Sequence, residues 1–73
     1  MHDHDHGSEG DKLRIVLPHL LKHNREHIKD IQKWLKLSEE AGDKGVTDDL
    51  KRVVELFEEI NRHLESAIEK SVT

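Results

Sequence analysis

Apolar residues recur along this chain in two separate series, each with the spacing of an amphipathic helix. The first is Leu13, Leu17, Leu20, Asn24, Ile28, Ile31 and Leu35; the second is Val46, Leu50, Val53, Phe57, Ile60, Leu64 and Ala67. Steps of three and four residues keep each series on one stripe of a helix, and two such stripes joined by a short polar connection bury themselves best against each other. The pattern predicts an all-α fold, an antiparallel two-helix hairpin.

Punctuation sets the expected bounds. Proline is tolerated in a first turn and disrupts an interior, so Pro18 is read as the start of regular helix, from about 18 to 41, with residues 11–17 as either a short lead-in, for which Asp11 is a candidate cap, or one frayed turn. Gly42 supplies the left-handed position that commonly ends a helix, and residues 42–46 form the loop. Thr47 is read as the N-cap of a second helix over about 47–70, with Asp48 and Asp49 complementing the positive end of its dipole. Residues 1–10, MHDHDHGSEG, hold too little apolar surface to fold and are read as a disordered tail ahead of a hairpin domain over 11–73. The alternation His2-Asp3-His4-Asp5-His6 is unlike the unbroken histidine runs of purification tags, and we read it as native.

Asn24 interrupts the first stripe. In antiparallel register it falls level with Ile60 and Asn61, and a single amide in an apolar seam fixes register because shifted pairings leave it unsatisfied. An Asn24–Asn61 hydrogen bond or a shared water is the expected polar element of the seam.

Size sharpens the picture. A 73-residue chain buries only about 60% of the surface it exposes when unfolded, so a core with one seam needs a supplement. With no cysteine, disulfides are excluded, which leaves self-association or a metal ion. Leu21, Trp34, Val54 and Leu56 widen the apolar face beyond one helix contact and predict a homodimer forming a four-helix bundle.

Composition narrows the function. A net charge of −4 and 3% aromatic residues argue against a nucleic-acid partner, which calls for basic patches and stacking platforms. No apolar run approaches a membrane span or a secretory signal, and the chain is read as cytoplasmic. Residues 11–41 carry seven Lys/Arg and five Asp/Glu, residues 46–73 four and seven, so the two helices have opposite net signs. There is no glycine-rich phosphate loop, no nucleophile set and no Glu-x-x-His pair on either helix, and the reading is of a protein that is not an enzyme.

Seven histidines are the remaining chemistry. At about 100° per residue, His27 lies about 50° from the centre of the first stripe, His23 about 90° and His19 about 130°. His23 and His27 are one turn apart, as in zinc-binding H-x-x-x-H helices. Glu59 and His63 share that spacing on the second helix and are level with His23 in the expected register, which predicts an interhelical site of His23, His27, Glu59 and His63. His2, His4 and His6 project to one side of an extended segment and form a second candidate set, suited to capture or storage of a transition-metal ion (Ni, Co, Zn or Cu). Capture by imidazole weakens steeply below about pH 6, because the ligating rings must be neutral.

The stretch His23-Asn24-Arg25-Glu26-His27, followed by Val54-Glu55-Leu56-Phe57-Glu58-Glu59-Ile60-Asn61, resembles a family of short uncharacterised archaeal and bacterial helical hairpins with an H-N-x-x-H segment and a histidine-rich N-terminus. The likeness spans most of residues 1–70. It implies metal association and marks His23, Asn24, His27 and Asn61. The expected function is that of a small metal-binding accessory protein, with any metal-transport or metalloprotein partner unidentified. The alternative is a non-catalytic structural or interaction module that dimerises or accepts a partner helix.

Overall fold

The computed structural model describes residues 5–71, with side chains from residue 9 onward. Two helices, α1 (Asp5–Glu40) and α2 (Lys44–Ser71), form a hairpin measuring 58 × 21 × 14 Å. Among the described residues no helix is long and apolar enough to cross a membrane.

The turn is built from two interlocked caps. Gly42 takes φ 75°, where a side chain is disfavoured. Its N–H donates to Glu39 O (3.1 Å) and the Asp43 N–H to Ser38 O (3.0 Å), the paired bonds of a Schellman ending. Asp43 then opens α2: its Oδ1 accepts the Val46 N–H at 3.2 Å and its carbonyl the Thr47 N–H at 2.9 Å. The N-cap is therefore Asp43 and not Thr47, and α2 begins at Lys44, ahead of the expected 47. Asp43→Ala removes an acceptor but no packing, so it is expected to cost about 1 kcal/mol while Asp43→Ser costs a few tenths, as read by urea unfolding.

Thr47 turns inward instead. Two hydroxyl protons serve three contacts: Ser38 Oγ to Leu35 O (2.6 Å), Ser38 Oγ to Thr47 Oγ1 (2.7 Å) and Thr47 Oγ1 to Asp43 O (2.8 Å). The bonds therefore run in one direction at a time, from Thr47 through Ser38 to Leu35 or the reverse to Asp43. Both residues are buried, and their contact sets the rotation of α2 against α1.

On α2 that rotation differs from the expected one by about half a position: Leu50, Phe57 and Leu64 keep their places, while Thr47, Val54, Asn61 and Ile68 stand where Val46, Val53, Ile60 and Ala67 were expected. The side chains facing the partner helix are Leu17, Leu21, Asn24, Ile28, Ile31, Leu35 and Ser38 on α1, and Thr47, Leu50, Val54, Phe57, Asn61, Leu64, Ile68 and Ser71 on α2. Leu13, Leu20, Val46 and Ile60, read as seam positions, are 43–53% exposed. Each helix carries two adjacent apolar rows, so periodicity alone finds the stripe without choosing which edge closes the hairpin. The choice is made where Ser38 meets Thr47 and where Arg25 Nη2 pairs with Glu65 Oε2 at 2.7 Å along the opposite edge.

The start of α1 is also earlier than expected. Pro18 sits inside the helix, which begins at Asp5, ahead of the expected start near residue 18. Proline removes one i→i−4 hydrogen bond, the one to the Arg14 carbonyl, and the same turn meets the end of α2, where Arg14 Nε donates to Ser71 O at 3.3 Å.

Leu21 is the one buried large hydrophobic residue among those described. Nine others are exposed: Leu13, Ile15, Val16, Leu20, Trp34 and Leu37 on α1, and Val46, Leu56 and Ile60 on α2. Apart from Ile15 and Leu13, each lies one position before a seam residue, and Leu13 continues the same row. In an antiparallel pair, rows displaced the same way from the seam lie on the same side. Eight of the nine therefore form one apolar flank, with the Arg25–Glu65 pair on the other side.

Candidate metal centre

His23 and His27 occupy that flank, midway along α1, in the row Val16, Leu20, His23, His27, Asp30, Trp34 and Leu37. Four-residue spacing on a regular helix brings the rings together: Nε2 to Nε2 is 2.9 Å, with ring centroids 4.3 Å apart at 83°. One imidazole donates its N–H and the other accepts, so at least one of the two is neutral in this arrangement. His27 is held from its other side by Phe57, stacked at 27° with centroids 6.1 Å apart. Both histidines remain exposed.

The spacing suits an ion. Two nitrogens about 2.0–2.1 Å from a metal stand about 2.9 Å apart at a right angle and about 3.3 Å apart at a tetrahedral angle. A cation in place of the shared proton needs a nitrogen separation between the observed 2.9 Å and a few tenths more, which rotation of exposed rings supplies.

The remaining expected ligands are not gathered to the pair. His63 lies on the same flank, on the α2 row one position before Leu64, whereas Glu59 falls one position farther round than Ile60. Among the described residues no group of three or more His, Cys, Asp or Glu side chains could hold a metal ion. The four-ligand set within one chain is thus not assembled, for the same reason that the α2 stripe is rotated. His2 and His4 lie outside the described residues; the backbone of His6 belongs to α1, and its side chain is outside what is described.

An open groove of about 420 Å³ beside the pair is lined by Val16, His19, Leu20, Lys22, His23 and Glu26. His19, read from the sequence as facing water, is exposed and contributes to this groove without joining the pair. Its signal was the same four-residue step that links His23 to His27.

Asn61 is buried, and its Oδ1 has no hydrogen-bond partner. The expected Asn24–Asn61 bond is absent: Asn24 is half-buried on the facing helix, and Asn61 borders an open groove with Arg25, Ile28, Glu58, Arg62 and Glu65.

The fold and its histidines define a two-helix antiparallel hairpin with an imidazole pair set into an exposed apolar flank. The chain belongs to the family described as a domain of unknown function (DUF8180), which matches residues 13–71, both helices from Leu13 onward. No curated protein and no solved structure matches the chain.

Proposed function

We propose that the protein captures a transition-metal ion (Ni, Co, Zn or Cu) in the cytoplasm through His23 and His27, with His2, His4 and His6 as a second ligand set. The observation that carries this reading is the 2.9 Å approach of two Nε2 atoms on an exposed surface, at the separation an ion's adjacent ligands adopt. The resemblance to hairpins with an H-N-x-x-H segment, here His23, Asn24 and His27, points the same way.

Calorimetric titration of Ni(II), Co(II), Zn(II) and Cu(II) tests it. The double variant His23→Ala, His27→Ala is expected to bind its preferred metal at least about tenfold more weakly than the wild type. The triple variant His2→Ala, His4→Ala, His6→Ala should retain the ordered site. Equal affinity of the double variant and the wild type would remove the pair from the binding site.

A second reading is favoured by the eight apolar side chains on one flank: a non-catalytic interaction module, a homodimeric four-helix bundle or an acceptor of a partner helix. Exposed apolar surface of this extent marks an interface more often than a solvated face.

A further inference from the structure

We propose that a second copy of the chain covers the apolar flank, related by a two-fold axis running along the helices, and that the pairing completes a three-imidazole metal site: His23 and His27 of one copy with His63 of the other. This rests on the metal-binding reading and adds to it the partner and the third ligand.

The flank has the size of a dimer interface. Its eight large apolar side chains, 41–63% exposed, present roughly 750 Å² per copy, close to the ~800 Å² a partner contributes to a stable complex. A hairpin with one buried large hydrophobic side chain also needs that cover to fold, which a copy of itself always supplies.

Heights along the bundle fix what meets what. Within the hairpin, residues at one level have numbers adding to about 85, as for Ser38 with Thr47 and Arg14 with Ser71. A two-fold axis along the helices keeps every height and lays α1 of each copy on α2 of the other. His23 then stands level with position 62 of the second copy, where His63 is the flank residue. Trp34 stands level with position 51, between the flank residues Asp49 and Val53, and Leu20 level with position 65, between His63 and Ala67. Charge agrees: residues 11–41, with seven basic and five acidic side chains, lie against residues 46–73, with four and seven. The other two-fold arrangement, with the axis across the helices, stacks α1 on α1 and α2 on α2 and so sets like net charges together.

Complementation by mixed dimers tests the site. Zn(II) is titrated into wild type, into the double variant His23→Ala, His27→Ala, into His63→Ala, and into an equimolar mixture of the two variants unfolded and refolded together. Circular dichroism checks that each exposed substitution leaves the helices intact, and sedimentation equilibrium in EDTA reports the dimer without metal. Each variant alone should bind at least about tenfold more weakly than wild type. The mixture should recover wild-type affinity in about one quarter of its sites, because half of the dimers are mixed and each holds one intact site. A site within one chain, or one built only from His23 and His27, gives no recovery, and a mixture no better than its components overturns the proposal. So does a wild type that binds zinc tightly while sedimenting as a monomer. A wild type that is dimeric yet binds no zinc refutes the metal-binding reading itself, and the site with it.

Discussion

Leu21→Ala is expected to lower the unfolding free energy by about 2–4 kcal/mol, the cost of removing three carbons from a site that neighbours fill only in part. Leu21 is 8% exposed and sits where α1 faces the last turns of α2, and no other large hydrophobic side chain among the described residues is as enclosed. In a domain whose whole stability is a few kcal/mol, such a loss unfolds a substantial fraction of the chain at room temperature. Ile15→Ala removes as much hydrocarbon from a side chain 62% exposed and off the apolar flank, so it should change stability by less than about 0.5 kcal/mol. Urea unfolding followed by circular dichroism at one fixed protein concentration compares the two. Equal losses for Leu21→Ala and Ile15→Ala would mean that the seam is not where the chain is held together.

The fold was legible because its determinants are local. Periodicity, Gly42 and the polar stretch around it were enough to foresee two helices and a left-handed turn. Pro18 misled because a preference for the first turn does not forbid an interior position: α1 runs through it from Asp5 to Glu40, and Leu17 and Leu21 on either side of it face α2. Thr47 misled because Asp43 is an equally good cap, and the hydroxyl of Thr47 found a buried partner in Ser38 across the turn.

The same distinction divides the candidate site. His23 and His27 lie on one helix, so their spacing settles their proximity, and the sequence was sufficient to place them together. Glu59 and His63 reach that pair only through the rotation of α2 about its own axis. Two adjacent apolar rows on each helix make either rotation acceptable to periodicity, and a difference of about half a position, roughly 50° of arc, carries Glu59 away and leaves Ile60 exposed. A row of apolar residues that the hairpin does not bury is itself a signal, since a chain seldom maintains a second stripe for solvent.

Asn61 gives the other large expected effect, of opposite sign. Its amide is 7% exposed in the seam beside Phe57 and Leu64, and its Oδ1 meets no donor. A buried acceptor left unpaired costs about 1–3 kcal/mol, and an apolar side chain of similar size removes that cost while adding contacts. Asn61→Leu should therefore raise the unfolding free energy by about 1–2 kcal/mol, seen as a higher thermal midpoint. The gain has a structural consequence. With Asn61 gone, slipping α2 by one turn no longer displaces a buried amide of its own, and the seam loses a polar marker of its register. Nuclear Overhauser contacts between the neighbours of Ser38 and Thr47 should then weaken or multiply, and sedimentation should show a broader range of assemblies than the wild type. If Asn61→Leu instead destabilises the protein, the amide is satisfied in solution by Asn24 or a bridging water, and its role is adhesion between the helices rather than selection among their alignments.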